Sequence, residues 1–355
     1  MNVLFVVDSL CEGGAGRVVA RLSSYFHTQG VSTSVLPLFD NTIAYDINRG
    51  VNVFRTFDKP LDHSVAERIK LIRESATKAN ADVVISFLSY INLYAIIAGI
   101  GKSWRTVVSE RNNPYTDPGN KKIRLIRRYL YLLANGYVFQ TSDARDYFFK
   151  HIRTSGCVIP NPVADDIPEP YSGIRAKRIV SAGRLTGQKN YMLALKAVRN
   201  VLKKHPDYIY EIYGEGEERE NLLHLIKELG IDNSVFLRGH NTNLLENIKD
   251  AAVFVLSSDY EGMSNSLIEA MAIGLPVVST DHPVGGARLL VKNKENGILV
   301  PIENAKELAK AINFLIENPN ESSKISHNAT RVTSDYSIEK IGNLWLKYIE
   351  TVKSK

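Results

Sequence analysis

Apolar runs and helical patterns alternate along most of the 355-residue chain. Residues 3–8 form an apolar run that ends at an aspartate, as in a strand buried on both faces. The apolar spacing over residues 16–30 predicts a helix that a glycine closes. Further strands of this half are predicted at residues 32–38, 82–89, 105–110, 137–142 and 157–162. Such alternation is typical of a parallel sheet covered by helices on both faces.

The pattern is interrupted at residues 160–173, where prolines, acids and a glycine resemble a linker. It then resumes, with strands predicted at residues 178–183, 208–214, 234–239, 252–257 and 276–280. The helices of this half are predicted at residues 192–205, 221–229, 244–249, 265–273 and 305–318. We therefore predict an α/β protein with two Rossmann-like, doubly wound domains that face a cleft, where ligands of open parallel sheets bind. The predicted parts are a domain at 1–163, a linker at 164–176, a second domain at 177–334 and a C-terminal segment at 335–355.

Composition narrows the protein class. A content of 44% hydrophobic and 23% charged residues is that of a globular protein, which excludes disorder and fibrous structure. Two cysteines cannot build a disulfide framework, and the first residues lack the basic stretch of a signal peptide, so we expect a cytoplasmic protein. No segment approaches the ~18 apolar residues of a membrane span. The net charge of +6 admits phosphate, nucleic acid or anionic lipid as a partner.

Familiar phosphate-binding motifs are absent from the glycine-rich turns. In the first turn, Gly14 and Gly16 match the first two glycines of the dinucleotide fingerprint, but the third position falls on Val19. Residues 214–219 do not match the fingerprint either, and their acidic residues would repel a pyrophosphate. Residues 183–189 are one residue short of a P-loop. The turn at Gly13 and Gly14 still opens a helix with bare N–H groups that can approach an anion, although a tight turn alone would also need glycine.

Two cations follow a strand of the second half. Arg184 and Lys189 lie in the loop after the strand at residues 178–183, at the carboxyl edge of the predicted sheet. Two fixed positive charges there can neutralise a diphosphate leaving group without a metal. The sequence has no Asp-x-Asp pair and no zinc-type His/Cys spacing, so we expect no metal and no other cofactor. The alternative is a solvated basic loop.

A pair of glutamates brackets a helix start in the same half. Glu261 and Glu269 lie eight positions apart, and residues 262–265 between them offer backbone N–H groups at a helix N-terminus, an anion site. Each carboxylate could accept hydrogen bonds from sugar hydroxyls. The alternative is that both glutamates only favour the helix dipole or cap backbone groups.

These motifs together resemble the retaining GT-B glycosyltransferases of the "glycosyl transferases group 1" family. The resemblance is specific over residues 177–318, where GRLTGQKN (183–190) precedes the E-x7-E of residues 261–269. It is looser in the first half, where GGAGR (13–17) and VIPNPV (158–163) carry it. The family acts on nucleotide sugars in bacterial polysaccharide, glycolipid and glycoprotein assembly. The resemblance implies that the second domain binds most of the donor and that residues 337–353 form a helix that packs back on the first.

The resemblance also implies roles for matching residues. Arg184 and Lys189 would bind the donor diphosphate, Glu269 the ribose hydroxyls and Glu261 the donor sugar. The positions implied beside the sugar and phosphates are Gly262, Met263, Ser264, Asn265 and Ser266. The first-domain loop under the diphosphate would contain Gly13 and Gly14. The turn that reads the base would contain His240, Asn241 and Thr242.

One departure from the family pattern lies after the strand at residues 105–110. Many members place a histidine there, whereas this chain has Glu110, Arg111 and Asn112. We expect these residues on the acceptor side, where they would orient a substrate. The alternative is a salt-bridged strand end. In the family's front-face chemistry the departing phosphate takes the acceptor proton, so a protein base is not required.

The segment 121–136 combines cations with apolar residues at helical spacing. It contains Lys121, Lys122, Arg124, Arg127 and Arg128 and no acid. Ile123, Leu125, Ile126, Leu130 and Leu133 supply its apolar positions. A basic face of this kind suits an anionic bilayer or the pyrophosphate of a lipid-linked acceptor. The alternative is a solvated face of a buried helix.

We predict a metal-independent, retaining transferase of a hexose or N-acetylhexosamine from a UDP-type donor to a lipid-linked or glycan acceptor. It would act in the cytoplasm, at the inner face of the membrane, and would not bind nucleic acid. A nucleotide-sugar epimerase would need acid and base groups that we cannot place in this sequence, and a glucan phosphorylase would need a pyridoxal lysine. A non-catalytic nucleotide-sugar-binding subunit is the remaining alternative.

Overall fold

The computed structural model describes residues 1–11, 13–59, 62–164 and 166–354. Glu12 of the first glycine-rich turn and Asp165 of the predicted linker lie outside the described residues. The chain divides into two compact units: Met1–Pro162 together with Ile338–Lys355, and Val163–Ser337. Each unit is an α/β structure around a parallel sheet, which confirms the predicted fold class.

The first unit contains a parallel sheet with the strand order β3-β2-β1-β4-β5-β6-β7. Its strands are β1 (Asn2–Val7), β2 (Ser32–Pro37), β3 (Asn52–Val53), β4 (Val83–Phe87), β5 (Arg105–Glu110), β6 (Gly136–Phe139) and β7 (Cys157–Val158). The central strands β1 and β4 are mostly apolar and almost entirely buried, as expected for a parallel sheet with helices on both faces. β7 is much shorter than the strand predicted at residues 157–162, which contains two prolines that cannot donate to a ladder.

Helices connect these strands: α1 (Gly13–Thr28), α2 (Val65–Lys78), α3 (Ser89–Gly99), α4 (Lys121–Leu130), α5 (Ser142–Asp146) and α6 (Lys150–Ser155). A short 3-10 helix (Tyr131–Leu133) continues α4. α1 begins three residues earlier than predicted, so Gly13 and Gly14 form its first turn. α2 begins at a capping box, in which the Ser64 hydroxyl accepts from Glu67 N and the Glu67 carboxylate accepts from Ser64 N.

The second unit contains a parallel sheet with the strand order β10-β9-β8-β11-β12-β13. Its strands are β8 (Ala176–Ala182), β9 (Ile209–Tyr213), β10 (Val235–Gly239), β11 (Ala251–Leu256), β12 (Val277–Thr280) and β13 (Ile298–Val300). Its helices are α7 (Tyr191–Lys204), α8 (Arg219–Glu228), α9 (Leu244–Ile248), α10 (Asn265–Ala272), α11 (Gly286–Leu290), α12 (Ala305–Glu317), α13 (Pro319–Ala329) and α14 (Val332–Asp335). The segment predicted as a linker belongs to this unit, where Tyr171 N donates to Ile273 O.

The last helix, α15 (Ile338–Lys353), lies in the first unit. Its Trp345 is fully buried and stacks on Phe87 of β4, with ring centroids 5.7 Å apart. The Tyr348 hydroxyl accepts from Tyr137 N and donates to Ser155 O, which joins α15 to β6 and α6. Within the described parts of the chain, no helix combines the length and the apolar character needed to cross a bilayer.

Candidate functional site

The loop after β8 is joined to the loop after β11. Gln188 Nε2 donates to Tyr260 O at 2.9 Å, and Ser257 Oγ donates to Lys189 O at 2.8 Å. β8 and β11 are neighbours in the sheet, so their carboxyl ends bring the two loops together. The predicted cation loop and the first glutamate of the E-x7-E motif therefore share one edge of the second sheet.

Lys189 and Glu261 form a partly shielded ion pair at this edge. Lys189 Nζ lies 2.5 Å from Glu261 Oε1, and their side chains are 15% and 11% exposed. The Ser258 hydroxyl donates to the same carboxylate at 2.9 Å. Burial by itself would raise the pKa of the Glu261 carboxyl, but the charges of Lys189 and His282 and the hydrogen bonds from Lys189 and Ser258 hold that pKa below its usual value. Glu261 is therefore ionised at neutral pH and accepts hydrogen bonds.

Arg184 lies at the start of the same loop and is exposed to solvent. The loop around it is supported by the glycines of the GEGEER segment (214–219). A Cβ at Gly214 would lie 2.1 Å from Gly183 O, and one at Gly216 would lie 2.4 Å from Leu185 O. These glycines, which fail as a dinucleotide fingerprint, thus let the backbone of the β9 loop pass directly against the arginine loop.

The N-terminus of α10 forms the second side of this edge. Glu261, Met263 and Ser264 are buried, and Glu269 is buried within α10 itself. A Cβ at Gly286 would lie 1.5 Å from Gly262 O, so α11 approaches the backbone of residue 262 as only glycine permits. The first N–H groups of α10 have no partner inside the helix, which makes its start a favourable place for an anion.

The remaining predicted donor positions lie at the start of α10, in the turn after β10 and at the start of α1. His240 and Thr242 are exposed in the turn after β10, where Asn241 Oδ1 accepts from Asn243 N and Asn247 Nδ2. Asn265 and Ser266, the first residues of α10, are half-buried. Gly13 and Gly14 are exposed at the first turn of α1 in the first unit.

Glu110 is not an open acceptor-side residue. Its carboxylate is 1% exposed, lies 3.2 Å from Arg127 Nη1, and accepts from the hydroxyls of Ser89 and Tyr131. Burial raises its pKa, the charge of Arg127 opposes that rise, and Asp117 adds to it. Because its oxygens are engaged inside the unit, Glu110 is a salt-bridged strand end, the alternative noted above.

Arg111 and Asn112 are half-buried next to it. Arg111 Nη1 donates to Asn161 Oδ1 at 2.8 Å, and its guanidinium lies over the rings of Phe87 and Trp345. Burial lowers the pKa of Arg111 to about 9. Within the described residues its Nε and Nη2 atoms are buried without a hydrogen-bond partner. Arg111 therefore stays an acceptor-side candidate, which Glu110 does not.

The predicted basic face of α4 needs a correction. Arg127 is fully buried, because it pairs with Glu110 and donates to the carbonyls of Pro114 and Asp117. Arg124 Nη1 donates to three carbonyls of residues 116–119, and Arg128 lies over the Phe149 ring at 4.5 Å. Lys121 and Lys122 are exposed. The cations of this helix therefore mostly hold the fold together.

His282 belongs to none of the sequence motifs, so the sequence does not predict it as a site residue. It is fully buried after β12, its Nδ1 lies 3.2 Å from Pro283 O, and within the described residues its Nε2 has no hydrogen-bond partner. Burial lowers its pKa, while the nearby Glu261 charge opposes this. No local sequence signal marks His282, because its closeness to Glu261 depends on β12 being the neighbour of β11 in the sheet. Nowhere in the described ranges do three or more His, Cys, Asp or Glu residues cluster as metal ligands would.

Two family models match the chain. Residues 12–167 match Glycosyltransferase Family 4, and residues 172–332 match Glycosyl transferases group 1. A curated relative from Campylobacter jejuni subsp. jejuni serotype O:2 is 28% identical over 365 residues, which cover 100% of this chain and 99% of the relative. Its name is GalNAc-α-(1→4)-GalNAc-α-(1→3)-diNAcBac-PP-undecaprenol α-1,4-N-acetyl-D-galactosaminyltransferase.

Solved structures show the same fold at lower identity. Sucrose-phosphate synthase from Thermosynechococcus elongatus superposes with a TM-score of 0.86 at 17% identity, covering 100% of both chains. HepE of Anabaena in complex with UDP and glucose superposes with a TM-score of 0.83 at 18% identity, covering 99% of both chains. Both are GT-B structures, and the predicted GT-B architecture is confirmed.

Proposed function

Since the chain belongs to the glycosyltransferases that combine a Glycosyltransferase Family 4 domain with a Glycosyl transferases group 1 domain, we propose that it retains the anomeric configuration of the sugar it transfers. The donor in this proposal is a UDP-linked hexose or N-acetylhexosamine. The acceptor is a lipid-linked or membrane-presented glycan, met at the inner face of the membrane in polysaccharide or glycolipid assembly.

The observation that carries the proposal is the ion pair of Lys189 with Glu261, beside the exposed Arg184. When the bond between the sugar anomeric carbon and the diphosphate breaks, negative charge builds on the leaving phosphate. Lys189 and Arg184 supply fixed positive charge there, and the start of α10 supplies oriented N–H groups. Glu261, held ionised, accepts hydrogen bonds from the hydroxyls of the sugar.

The proton balance needs no protein base. In the proposed step the acceptor hydroxyl attacks the anomeric carbon on the face from which the diphosphate departs. Its oxygen forms the new glycosidic bond, and its proton passes to an oxygen of the leaving diphosphate. The products are a glycoside with the donor's anomeric configuration and the nucleoside diphosphate. In this proposal protein cations, and not a metal, balance the charge of the nucleoside diphosphate.

The comparisons support the choice of donor and acceptor. Structural neighbours were solved with UDP, and the Campylobacter relative is named for an acceptor on undecaprenyl diphosphate. Arg111, with two buried nitrogen atoms unpartnered in the described part of the chain, is the residue we assign to the acceptor side.

The test is a thermal-shift panel of UDP, GDP and ADP sugars in the presence of EDTA, followed by product analysis with the best binder. We expect a UDP sugar to stabilise the protein most, and NMR of the product to show the donor's anomeric configuration. An inverted product, or transfer that EDTA abolishes, would overturn the mechanism. Donor binding without hydrolysis or transfer would instead favour the non-catalytic subunit.

A further inference from the structure

An apolar stripe lies exposed on α4 and its 3-10 continuation. It consists of Leu125, Ile126, Tyr129, Leu132 and Leu133, which are 57%, 56%, 58%, 43% and 59% exposed. Their spacing of three, four and seven positions places them on one helix face. Scattered exposed apolar residues are ordinary in soluble proteins, but an aligned set of this kind indicates a contact surface.

The stripe is exposed because the opposite face of the helix packs on the buried Glu110 carboxylate. Arg127 points inward to Glu110, and Tyr131 is fully buried with its hydroxyl donating to the same carboxylate. A buried carboxylate needs its cation and donors, so this face must turn toward the sheet. The large apolar residues of the other face are therefore left outside.

Lysines lie at the N-terminal end of the stripe. Lys122 precedes Ile126 by four positions and Leu125 by three, so it shares their face, and Lys121 lies next to it. Both are exposed, and residues 118–142 contain no acid. Tyr129 continues the surface by packing on Phe149, which precedes the exposed Lys150.

We propose that the apolar stripe inserts into the interface of an anionic lipid bilayer, with Lys121 and Lys122 at the phosphate headgroups. Large apolar side chains beside lysines match a helix that lies in the plane of a membrane, with its apolar face among the acyl chains. The proposed contact is insertion of apolar side chains and not adsorption of a basic face, because Arg124, Arg127 and Arg128 already contact groups of the protein itself. The inference deepens the proposed function, and rests on it, in that a lipid-linked acceptor would be met at this surface.

The test uses flotation of the full chain, without donor, with vesicles of phosphatidylcholine alone and with added phosphatidylglycerol. We expect wild-type protein to float with the anionic vesicles, and Leu125→Gln/Ile126→Gln to lower the partition coefficient by about tenfold or more, at low and at high salt. Lys121→Gln/Lys122→Gln should weaken binding mainly at low salt. Val65→Gln/Leu344→Gln is the matched control, since both residues are exposed apolar residues on other helices of the same unit.

Tyr129→Trp provides a second readout, with tryptophan emission expected to shift to the blue on addition of anionic vesicles. The proposal is overturned if wild-type protein does not float, or if the Leu125/Ile126 variant floats as well as wild type. It is equally overturned if sedimentation shows that the stripe instead holds two copies together. The thermal shift with UDP, measured on the same preparations, tests donor binding separately, so loss of flotation with UDP binding intact refutes the membrane surface alone.

Discussion

Lys189 Nζ lies 2.5 Å from Glu261 Oε1, so the cation proposed for the diphosphate is held by the carboxylate proposed for the sugar. The pair joins the loop after β8 to the loop after β11. It presets the position of Lys189, whose flexible side chain would otherwise lose rotamer freedom when the donor binds.

Lys189→Ala is expected to lower kcat/KM by about 10²-fold to 10³-fold, since one fixed donor to a developing oxyanion contributes about 2.7–4 kcal/mol. Steady-state transfer assays measure this change. Lys196→Ala is the control, because Lys196 is exposed on α7 of the same unit, and it should retain wild-type kcat/KM. Full turnover by Lys189→Ala would refute the assigned role.

Gly286→Ala is expected to disrupt the proposed donor site without unfolding the first unit. Its Cβ would lie 1.5 Å from Gly262 O, so the backbone ahead of α10 must shift. We expect the stabilisation by UDP in a thermal-shift assay to be lost. Gly119→Ala is the control, since a Cβ there meets no atom within 4 Å; an unchanged UDP shift in Gly286→Ala would contradict the prediction.

Arg127→Met is expected to destabilise the first unit by about 3–5 kcal/mol, because it leaves the buried Glu110 carboxylate without its cation. Urea unfolding followed by tryptophan fluorescence measures this unit selectively, since Trp104 and Trp345 are the two tryptophans of the chain and both belong to it.

The double variant Arg127→Met/Glu110→Leu should be more stable than Arg127→Met, because the unpaired charge is removed with its partner. Arg153→Met, at an exposed position of α6, should stay within about 0.5 kcal/mol of wild type. Equal stability of Arg127→Met and Arg153→Met would show that the buried pair does not stabilise this unit.

The second unit should lose stability in mild acid through His282. Burial lowers the pKa of His282 in the folded protein below its usual 6.5. Below that pH the unfolded chain binds the proton first, so stability falls as the pH drops from 6.5 toward the folded pKa. The pKa of Glu261 is also lowered, but its contribution is lost only below its unfolded value of 4.5.

Thermal melts by far-ultraviolet circular dichroism measure this effect, taken at pH values from neutral down to about 4, where carboxyl groups ordinarily titrate. His282→Asn should flatten the pH dependence in the upper part of that window and leave the lower part unchanged. The same slope in both proteins would show that His282 does not cause the acid sensitivity.

Much of the proposed donor site was predictable because its residues lie in short segments of the sequence. Arg184 and Lys189 follow β8, and Glu261 lies between β11 and α10, so the alternation of elements already placed these three residues at strand ends. His282 and Gly286 could not be found in this way. Their roles come from the order of β11 and β12 in the sheet and from the close approach of α11 to residue 262, which no local spacing records.

The sequence by itself determined the two parallel-sheet units, the cation loop and the glutamate pair, because hydrophobic periodicity and turn chemistry act over a few residues. Only the tertiary structure decided which face of α4 turns inward. Periodicity shows which residues share a face, whereas burial of Arg127 depends on Glu110, 17 positions earlier in the chain, at the end of β5. That long-range ion pair buries a cation and leaves Leu125 and Ile126 at the surface.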